Sequence, residues 1–428
     1  MRDRHFEITR RRDFLELILF AIGLRATLFL IVCVHYHYTF HQWAMRDDGS
    51  SYIAYARALL GDSSHLTEYD QRVFPGYPAL IAIVHRLGIP IDAAAVGVTW
   101  VSAGLVAALA AALFRDRRIG WAMACLPLQY FINSSLTMSE APMLALALIG
   151  LLLANRGKIA GGGILLGLAG LVRPMACFAV LGQLLRSMIE VPKASPIDPT
   201  TRSSPSIAII AAGGSSGDPR LEDHDLSFTK KLAPVPGYQN QNSPRLRSLM
   251  RRYRAPIILA LTSASVVALG ILALHHWTGD AFRGARVYAN APNTYNGHLI
   301  QWPFHSLIHE SLRPEVSAAR VFYIWLHVSI TFIALAIVLF RCLRDRTNAD
   351  GRDLLAAPWL AGNTLFVLSI GSFWGFEHFP RFTIPALPAM FWALRNFLPR
   401  RKVFWLGIAA VILVSASLVV LHNFVIVD

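Results

Sequence analysis

The sequence predicts an all-α, polytopic membrane protein. Of its 428 residues, 54% are hydrophobic and only 15% are charged, whereas soluble domains carry about 25% charged residues. The apolar residues form long runs close to the roughly 20 residues that a bilayer-spanning helix needs. The basic residues, which give a net charge of +14, cluster at the ends of these runs. That distribution is typical of cytoplasmic flanks and argues against a nucleic-acid partner.

Eleven apolar runs are predicted to be transmembrane helices. The first, Phe14–Val34, is longer than a signal-peptide core and lacks a small-residue cleavage site, so we expect a retained helix. Two runs, Ala141–Ala154 and Ile159–Val172, are short for a full crossing, but the topology is unchanged if neither crosses. The others are Asp92–Phe114, Ile119–Leu136, Pro174–Ile189, Pro256–Leu274, Ala318–Phe340, Leu354–Gly371, Phe382–Leu398 and Val403–Leu421.

The basic clusters predict the orientation in the membrane. With a cytoplasmic N-terminus, all strongly basic segments fall on one side, as the positive-inside rule requires. These segments are residues 10–12, 115–118, 156–158, 186–254, 341–353 and 400–402. The C-terminus and the remaining connections then lie on the non-cytoplasmic face. These connections are residues 35–91, 133–140, a short turn near Arg173, 275–317 and 372–381.

The chain divides into two predicted membrane blocks, residues 1–190 and 256–428. Residues 191–255 separate them and are rich in Pro, Ser, Gly and Asp up to about position 242, without sustained periodicity. This composition predicts a disordered cytoplasmic insertion. Its basic end is expected to contact anionic lipid headgroups.

The first outer loop, residues 35–91, carries the clearest candidate chemistry. Asp47 and Asp48 precede a helix-compatible stretch at 50–60, so Asp48 has a simple structural role as its N-cap. Two adjacent carboxylates at a membrane surface also repel each other, so we expect the pKa of one to rise. Such a carboxylate can accept a proton from a hydroxyl group. The following Phe74-Pro75-Gly76-Tyr77-Pro78 run fixes the backbone twice within four residues.

Several arginines lie in predicted outer segments, where the positive-inside rule does not explain them. Arginine suits phosphate because its planar guanidinium donates two hydrogen bonds at once, and charges at the membrane edge are functional candidates. The simpler roles are salt bridges to local acids or membrane-edge flanks. These arginines are Arg57, Arg72, Arg173, Arg283, Arg286 and Arg381.

Taken in order, the outer motifs resemble those of the GT-C superfamily, multi-spanning glycosyltransferases that use polyprenyl-phosphate-linked sugars. The nearest resemblance is to the PIG-V-like mannosyltransferases and their bacterial relatives. The matching pieces are Asp48-x-x-x-Tyr52, the 74–78 run, Ser139-Glu140, the Gly-rich stretch 163–174 closed by Arg173, Trp277 to Phe282, Trp302-Pro303-Phe304, and Arg381-Phe382-x-x-Pro385. The chain departs from the pattern in its doubled aspartate, in Gly76 where a larger residue is common, and in its insertion.

The resemblance implies a GT-C-like fold and an inverting transferase. It would move a mannose-like hexose from a polyprenyl-phosphate donor to a lipid, glycan or protein acceptor on the non-cytoplasmic face. The implied catalytic residues are Asp48 or Asp47 as general base, with Glu140 orienting the acceptor or assisting Asp48. The implied substrate-binding residues are Arg72, Arg173 and Arg381 for the phosphate, and Tyr52 and Tyr77 for the sugar.

Three alternatives remain open at this point. A transporter or flippase for a lipid-linked or anionic substrate would share the many helices and the outer arginines, although repeats and midplane charges are its usual signature. A non-catalytic assembly partner would have no use for the two aspartates. No cofactor is expected because the histidines lack metal-ligand spacing, but a divalent cation at Asp47 and Asp48 is a further alternative.

Overall fold

In the computed structural model, the described residues are 11–67, 69–189, 244–280, 283–289, 300–344, 350–371 and 373–425. Within these ranges the chain is helical and has no β-strand beyond an isolated bridge between Ile300 and Ile370. The first helices are α1 (Arg11–Tyr36), α2 (Phe40–Ala44), α3 (Gly49–Leu59), α4 (Gly76–His85), α5 (Ile91–Phe114), α6 (Arg117–Cys125), α7 (Leu128–Asn133), α8 (Glu140–Asn155), α9 (Ile159–Val172) and α10 (Cys177–Ile189). The later helices are α11 (Pro244–Thr278), α12 (Arg283–Ala289), α13 (His305–Ser311), α14 (Ala318–Arg344), α15 (Gly351–Leu368), α16 (Phe373–Glu377), α17 (Phe379–Phe382), α18 (Leu387–Ala393) and α19 (Lys402–Val425).

Five of the described helices are long and apolar enough to cross a membrane. They coincide with five predicted spans and comprise Arg11–His35, Ile91–Phe114, Tyr253–Thr278, Ala318–Arg344 and Lys402–Val420. In the third of these, protein covers only 11% of the apolar window. So much uncovered apolar surface requires lipid around it. The prediction of an integral membrane protein is thus confirmed, while the number of eleven spans stays a prediction.

Two predicted spans are broken rather than continuous. The run Ile119–Leu136 forms α6 and α7, which meet at Leu126 and Pro127. The run Phe382–Leu398 is divided among the end of α17, a 3₁₀ turn at Ile384–Ala386, α18 and a second 3₁₀ turn at Arg395–Phe397. Proline explains both breaks, since it lacks the amide hydrogen that continues a helix. The expectation of an uninterrupted helix was wrong for these two segments.

A fully buried arginine supports the break between α6 and α7. Arg25, in the middle of α1, donates from Nη1 to the carbonyl of Ala124 (3.1 Å) and from Nη2 to Ser134 Oγ (2.7 Å). Its guanidinium also lies over the rings of Tyr130 and Phe131. Carbonyl groups at a helix C-terminus attract cations. Arg25 therefore stabilises the broken helix and fixes the segment that leads to Asn133.

The basic clusters of separate elements meet at one end of the helices. Arg117 pairs with Asp13 (3.2 Å) and Glu16 (2.6 Å) of α1, and Lys402 of α19 pairs with the same Glu16. Nearby, Phe114 at the end of α5 stacks on Trp392 of α18 (5.3 Å). At the other end of α5, Asp92 contacts His41 of α2 (2.8 Å). A 24-residue helix is about 36 Å long, which separates the two ends.

The chain separates into two compact units, residues 1–189 with 255–428, and residues 190–254. Both predicted membrane blocks contribute to the first unit, in which α1 packs against α19 and α10 against α15. In the second unit only residues 244–254, the beginning of α11, are described. The predicted disorder of the insertion therefore falls almost entirely outside the described residues.

Candidate active site

The two adjacent aspartates lie at a tight turn between α2 and α3. Thr39 and Gln42 form a capping box that fixes the start of α2. Asp47 has a φ of 52°, in the left-handed region that Asp tolerates better than most residues. Gly49 then begins α3 so close to α2 that a Cβ would lie 2.2 Å from the carbonyl oxygen of Ala44. The turn thus presents the two carboxylates to different surroundings.

Asp48 is held by two arginines rather than by the helix that it precedes. Its side chain makes no capping hydrogen bond to α3, so the simple N-cap role is not its role here. Oδ1 lies 2.5 Å from Arg72 Nη2, and Oδ2 lies 2.6 Å from Arg381 Nη2. Arg72 comes from the 3₁₀ turn Tyr69–Arg72 and also donates to Ser51 Oγ (2.9 Å). Asp48 therefore links the first outer loop to a residue 333 positions later.

Glu140 is the second carboxylate of this network and is completely buried. Its Oε1 accepts from Arg381 Nε (2.6 Å) and lies 3.0 Å from Arg173 Nη2. Asn133 Nδ2 donates to the same oxygen (3.3 Å). Oε2 is buried and has no hydrogen-bond partner among the described residues. Burying a carboxylate costs free energy unless cations and hydrogen-bond donors surround it. Arg381, Arg173 and Asn133 supply these contacts to Glu140.

The charges form an alternating chain that we call the Arg-acid network, consisting of Arg72, Asp48, Arg381, Glu140 and Arg173 in order of contact. Three cations face two carboxylates, and each carboxylate contacts two arginines. The cationic surplus favours an anionic ligand. Guanidinium groups are suited to phosphate, which they bind through paired N–H donors.

Two tyrosines lie next to the network: Tyr52 contacts Ser139, and Tyr77 packs against Tyr52. Tyr52 of α3 shares a hydrogen bond with Ser139 Oγ (2.8 Å), and Arg173 Nε donates to the same oxygen (2.8 Å). The ring of Tyr77 meets that of Tyr52 edge to face at 4.8 Å. Tyr77 donates to the carbonyl of Ala95 (2.9 Å), which is near the start of α5. The site therefore lies at the end of α5 that is remote from the basic clusters.

The two aspartates differ in pKa. Burial raises the pKa of Asp47, and the charges of Asp48 and Glu140 add to this effect, against the opposing influence of Arg381 and Arg46. Burial also acts on Asp48, but Arg381 and Arg72 outweigh it and hold its pKa below the ordinary value. The carboxylate whose pKa rises is that of Asp47, and burial contributes more to this shift than the repulsion from Asp48 that we expected. Among the described residues, none is in ion-pair contact with the Asp47 carboxylate.

His378 belongs to this region and was not predicted from the sequence. Burial and the nearby Arg381 lower the pKa of His378 to about 4, although Asp48 opposes them, so its imidazole is neutral at pH 7. It precedes Arg381 by three residues, and its ring meets Phe382 at 6.2 Å. His378 precedes the short helix α17, and no sequence pattern had related it to Arg381. Asn133, whose amide contacts Glu140, had no such pattern either.

Other outer residues singled out from the sequence lie outside the Arg-acid network. Arg286 pairs with Asp280, which is the simple salt-bridge role. Trp277 stacks on Tyr55 (5.4 Å), and the segment that contains Arg283 packs against the turn that carries Arg72. Trp302 is 85% exposed. Phe282 and residues 290–299 of the second outer loop are outside the described ranges.

No group of three or more His, Cys, Asp and Glu side chains within the described ranges is arranged to hold a metal ion. A cation at Asp47 and Asp48 thus remains an untested alternative. Comparison with protein-family models, with curated proteins and with solved structures yields no match.

Proposed function

We propose that the chain is a membrane-embedded inverting glycosyltransferase that uses a polyprenyl-phosphate-linked sugar. The observation that carries the proposal is the direct contact of Asp48, Glu140 and Arg381 in one network. These residues are far apart in the sequence, and each belongs to a different motif of the GT-C resemblance. Sugar transfer from a lipid phosphate needs both kinds of group, carboxylates for the acceptor and cations for the leaving phosphate.

The reaction is a single displacement at the anomeric carbon. The acceptor hydroxyl gives its proton to a carboxylate while its oxygen forms a bond to the anomeric carbon. The bond between that carbon and the phosphate oxygen breaks, and its electron pair leaves with the polyprenyl phosphate. Arg381, Arg173 and Arg72 stabilise the negative charge that develops on the phosphate. Attack on the face opposite the leaving group inverts the anomeric configuration.

Donor binding also prepares the base. In the ligand-free arrangement, Arg381 and Arg72 hold the pKa of Asp48 low, so Asp48 is a weak proton acceptor. A donor phosphate competes for the same guanidinium groups and draws them away from the carboxylate. Without these cations, the pKa of Asp48 rises toward the range in which a general base is effective. Asp47, whose pKa is already raised, is the alternative base, and Glu140 orients the acceptor or assists.

The membrane face of the active site, the donor sugar and the acceptor can be proposed as well. The network lies at the helix ends remote from the basic clusters, which supports an active site on the non-cytoplasmic face under the positive-inside rule. A mannose-like hexose is the donor sugar that the resemblance favours. The proposed acceptor is a hydroxyl group of a lipid, glycan or protein.

The test is an incubation of purified protein with a panel of labelled polyprenyl-phosphate sugars, in which donor consumption and product are measured. One donor is expected to be consumed. The Asp48→Asn or the Asp47→Asn variant should lower the rate by about 100-fold or more, the usual contribution of a general base. Asp62→Asn is the matched control, because Asp62 lies in the same outer loop, is exposed and contacts Ser64.

Full activity in both the Asp48→Asn and Asp47→Asn proteins would refute the proposed mechanism. A protein that binds a donor without consuming it in the presence of any acceptor would instead support a transporter or flippase. Because binding and consumption are measured on the same preparation, the two outcomes are distinct.

A further inference from the structure

A cavity of about 700 Å³ lies at the basic end of the helices, far from the Arg-acid network. Its walls are the last turns of α14, the start of α15 and the 3₁₀ turn Arg395–Phe397. The stacking of Phe114 on Trp392, next to this turn, places the cavity beside the end of α5 that carries Arg115. The proposed glycosyltransfer makes no use of it.

Three arginines from two separate elements line this cavity. Arg341 and Arg344 are one helical turn apart near the end of α14, and Arg395 approaches from the 3₁₀ turn. Arg341 donates from Nη2 to the carbonyl of Ala393 (2.5 Å), while its buried Nη1 makes no hydrogen bond within the described part of the chain. The guanidinium of Arg395 lies 3.6 Å from the centre of the Trp392 ring, which fixes its direction.

Two aspartates, Asp350 and Asp353, also line the cavity. Asp353 Oδ1 accepts from Trp392 Nε1 (2.8 Å) and lies 3.5 Å from Arg341 Nη1 and 3.8 Å from Arg395 Nη1. Asp350 caps α15 and pairs with Arg352 (3.8 Å), which does not line the cavity. Arg341 and Arg395 therefore share one carboxylate, which leaves their two guanidinium groups only partly neutralised and suited to an anion.

The other wall of the cavity is apolar and uncovered. Ala336, Ile337 and Phe340 line it from the membrane-spanning part of α14, and Phe397 lines it from the turn. The Phe340 side chain is 60% exposed and that of Phe397 is 76% exposed. A free anion gains nothing from such a wall, whereas an amphiphile has an acyl chain to place against it.

We infer that this cavity binds the phosphodiester headgroup of an anionic phospholipid, with its acyl chains along the apolar face of α14. Three arginines and an adjacent hydrocarbon surface are the complementary features that such a lipid requires. Basic pockets between membrane helices bind anionic headgroups on the side where basic residues gather. The site is independent of the proposed transferase activity.

The test is native mass spectrometry of the full chain in detergent, titrated separately with phosphatidylglycerol, phosphatidylcholine and inorganic phosphate. Arg344→Gln combined with Arg395→Gln should weaken phosphatidylglycerol binding by about 10-fold or more. Arg12→Gln combined with Arg401→Gln removes two charges from the same end outside the cavity. This control should change the affinity by less than about twofold. If the first pair fails to fold, Arg344→Gln alone is used, because Arg344 is exposed at the helix end.

The expected result is tight phosphatidylglycerol binding that depends on the cavity arginines. Equal weakening in the cavity and control variants would overturn the inference, since it would indicate nonspecific surface charge. Binding of phosphatidylcholine with the same affinity would contradict the need for an anion. Displacement of the lipid by an equal concentration of inorganic phosphate would show that the ligand is a free anion rather than a lipid.

Discussion

At the scale of single residues, the feature that matters most is the difference between two adjacent aspartates. Asp48 has two arginine partners, and Asp47 has none among the described side chains. The pKa values of these two neighbouring carboxyl groups are therefore shifted in opposite directions from the ordinary value. Such divergence between neighbouring acids is a common property of catalytic sites.

This divergence predicts opposite effects of the same substitution on stability. The folded pKa of Asp48 is below its unfolded value of about 3.9, so its charge stabilises the fold above that pH and the benefit disappears as the pH falls through the folded pKa. The folded pKa of Asp47 is above the unfolded value, so its contribution is greatest at low pH and is lost as the pH rises through the folded pKa. We expect Asp48→Asn to lower Tm at pH 7 and Asp47→Asn to raise it.

The measurement is Tm of each variant in detergent between pH 7 and pH 3. The Asp47→Asn difference should disappear as the pH falls through the raised pKa of Asp47 to about 4, whereas the Asp48→Asn difference should shrink only as the pH falls below about 4. Changes of the same sign for the two variants would contradict the assignment of their environments.

The buried pairing of Arg381 with Glu140 predicts that the two residues are energetically coupled. Arg381→Gln removes one cation from a completely buried carboxylate and should destabilise the fold by about 3 kcal/mol. Asp48 and Glu140 then keep one arginine each, Arg72 and Arg173. Adding Glu140→Gln neutralises the completely buried carboxylate, so the double variant should lose less stability than the sum of the two single variants. The free energy of unfolding of the two single variants and the double variant is measured by denaturant titration in detergent.

Arg320→Gln is the control for this comparison. Arg320 pairs with Glu377 at a site where its side chain is 46% exposed, and exposed pairs contribute about 0–1 kcal/mol. Strictly additive losses for Arg381→Gln and Glu140→Gln would mean that the two residues are not coupled.

At the scale of elements, the position of Arg173 depends on how α4 packs against the end of α9. A Cβ at Gly76 would lie 2.7 Å from both the carbonyl carbon of Leu171 and the amide nitrogen of Val172. These are backbone atoms, which cannot rotate away as a side chain can. The departure of Gly76 from the family pattern thus has a structural reason in this chain, since only glycine permits this approach.

Gly76→Ala should therefore displace the end of α9, separate Arg173 from Ser139 and Glu140, and lower both Tm and donor binding. Overpacking of this kind costs about 1–3 kcal/mol. Gly97→Ala, in α5, meets no atom within 4 Å and should be neutral or stabilising by up to about 1 kcal/mol. If the two variants behaved alike, the close approach of α4 and α9 would not be important.

The sequence predicted elements better than it predicted their interruptions. Apolar runs and basic flanks indicated the five long helices because length and hydrophobicity determine a crossing. Pro127 and Pro385 were visible signals for breaks, yet hydrophobicity alone favours an unbroken run. The sequence could place Asp48 and Arg381 on the same side of the membrane but could not predict their contact, because no local pattern relates residues 333 positions apart. His378 was missed because a single histidine among aromatic residues has no distinctive spacing.

At the scale of the whole molecule, the two ends of the helix bundle differ in charge. One end carries Arg117, Glu16 and Lys402 together with the cavity lined by Arg341 and Arg395, and the other end carries the Arg-acid network. Their separation along α5 is about the thickness of a bilayer. We therefore predict that the two ends face opposite sides of the membrane.

Cysteine labelling tests this orientation. In a background without the four native cysteines, Ser64→Cys in the first outer loop should react with a membrane-impermeant maleimide in intact cells. Arg401→Cys, at the basic end, should react only after the membrane is permeabilised. Both positions are exposed, so burial does not limit either reaction. Labelling of both before permeabilisation, or of Arg401→Cys alone, would be incompatible with the predicted topology.

In the proposed mechanism, the Arg-acid network binds a lipid-linked sugar through its arginines, and an adjacent carboxylate accepts the proton of the acceptor hydroxyl. The most direct test measures donor affinity and transfer rate on one preparation of the Asp47→Asn/Asp48→Asn double variant. Because this variant keeps every arginine of the network and removes both candidate bases, we predict donor binding as tight as in the wild type or tighter, with transfer reduced by about 100-fold or more. Transfer at the wild-type rate would contradict the account.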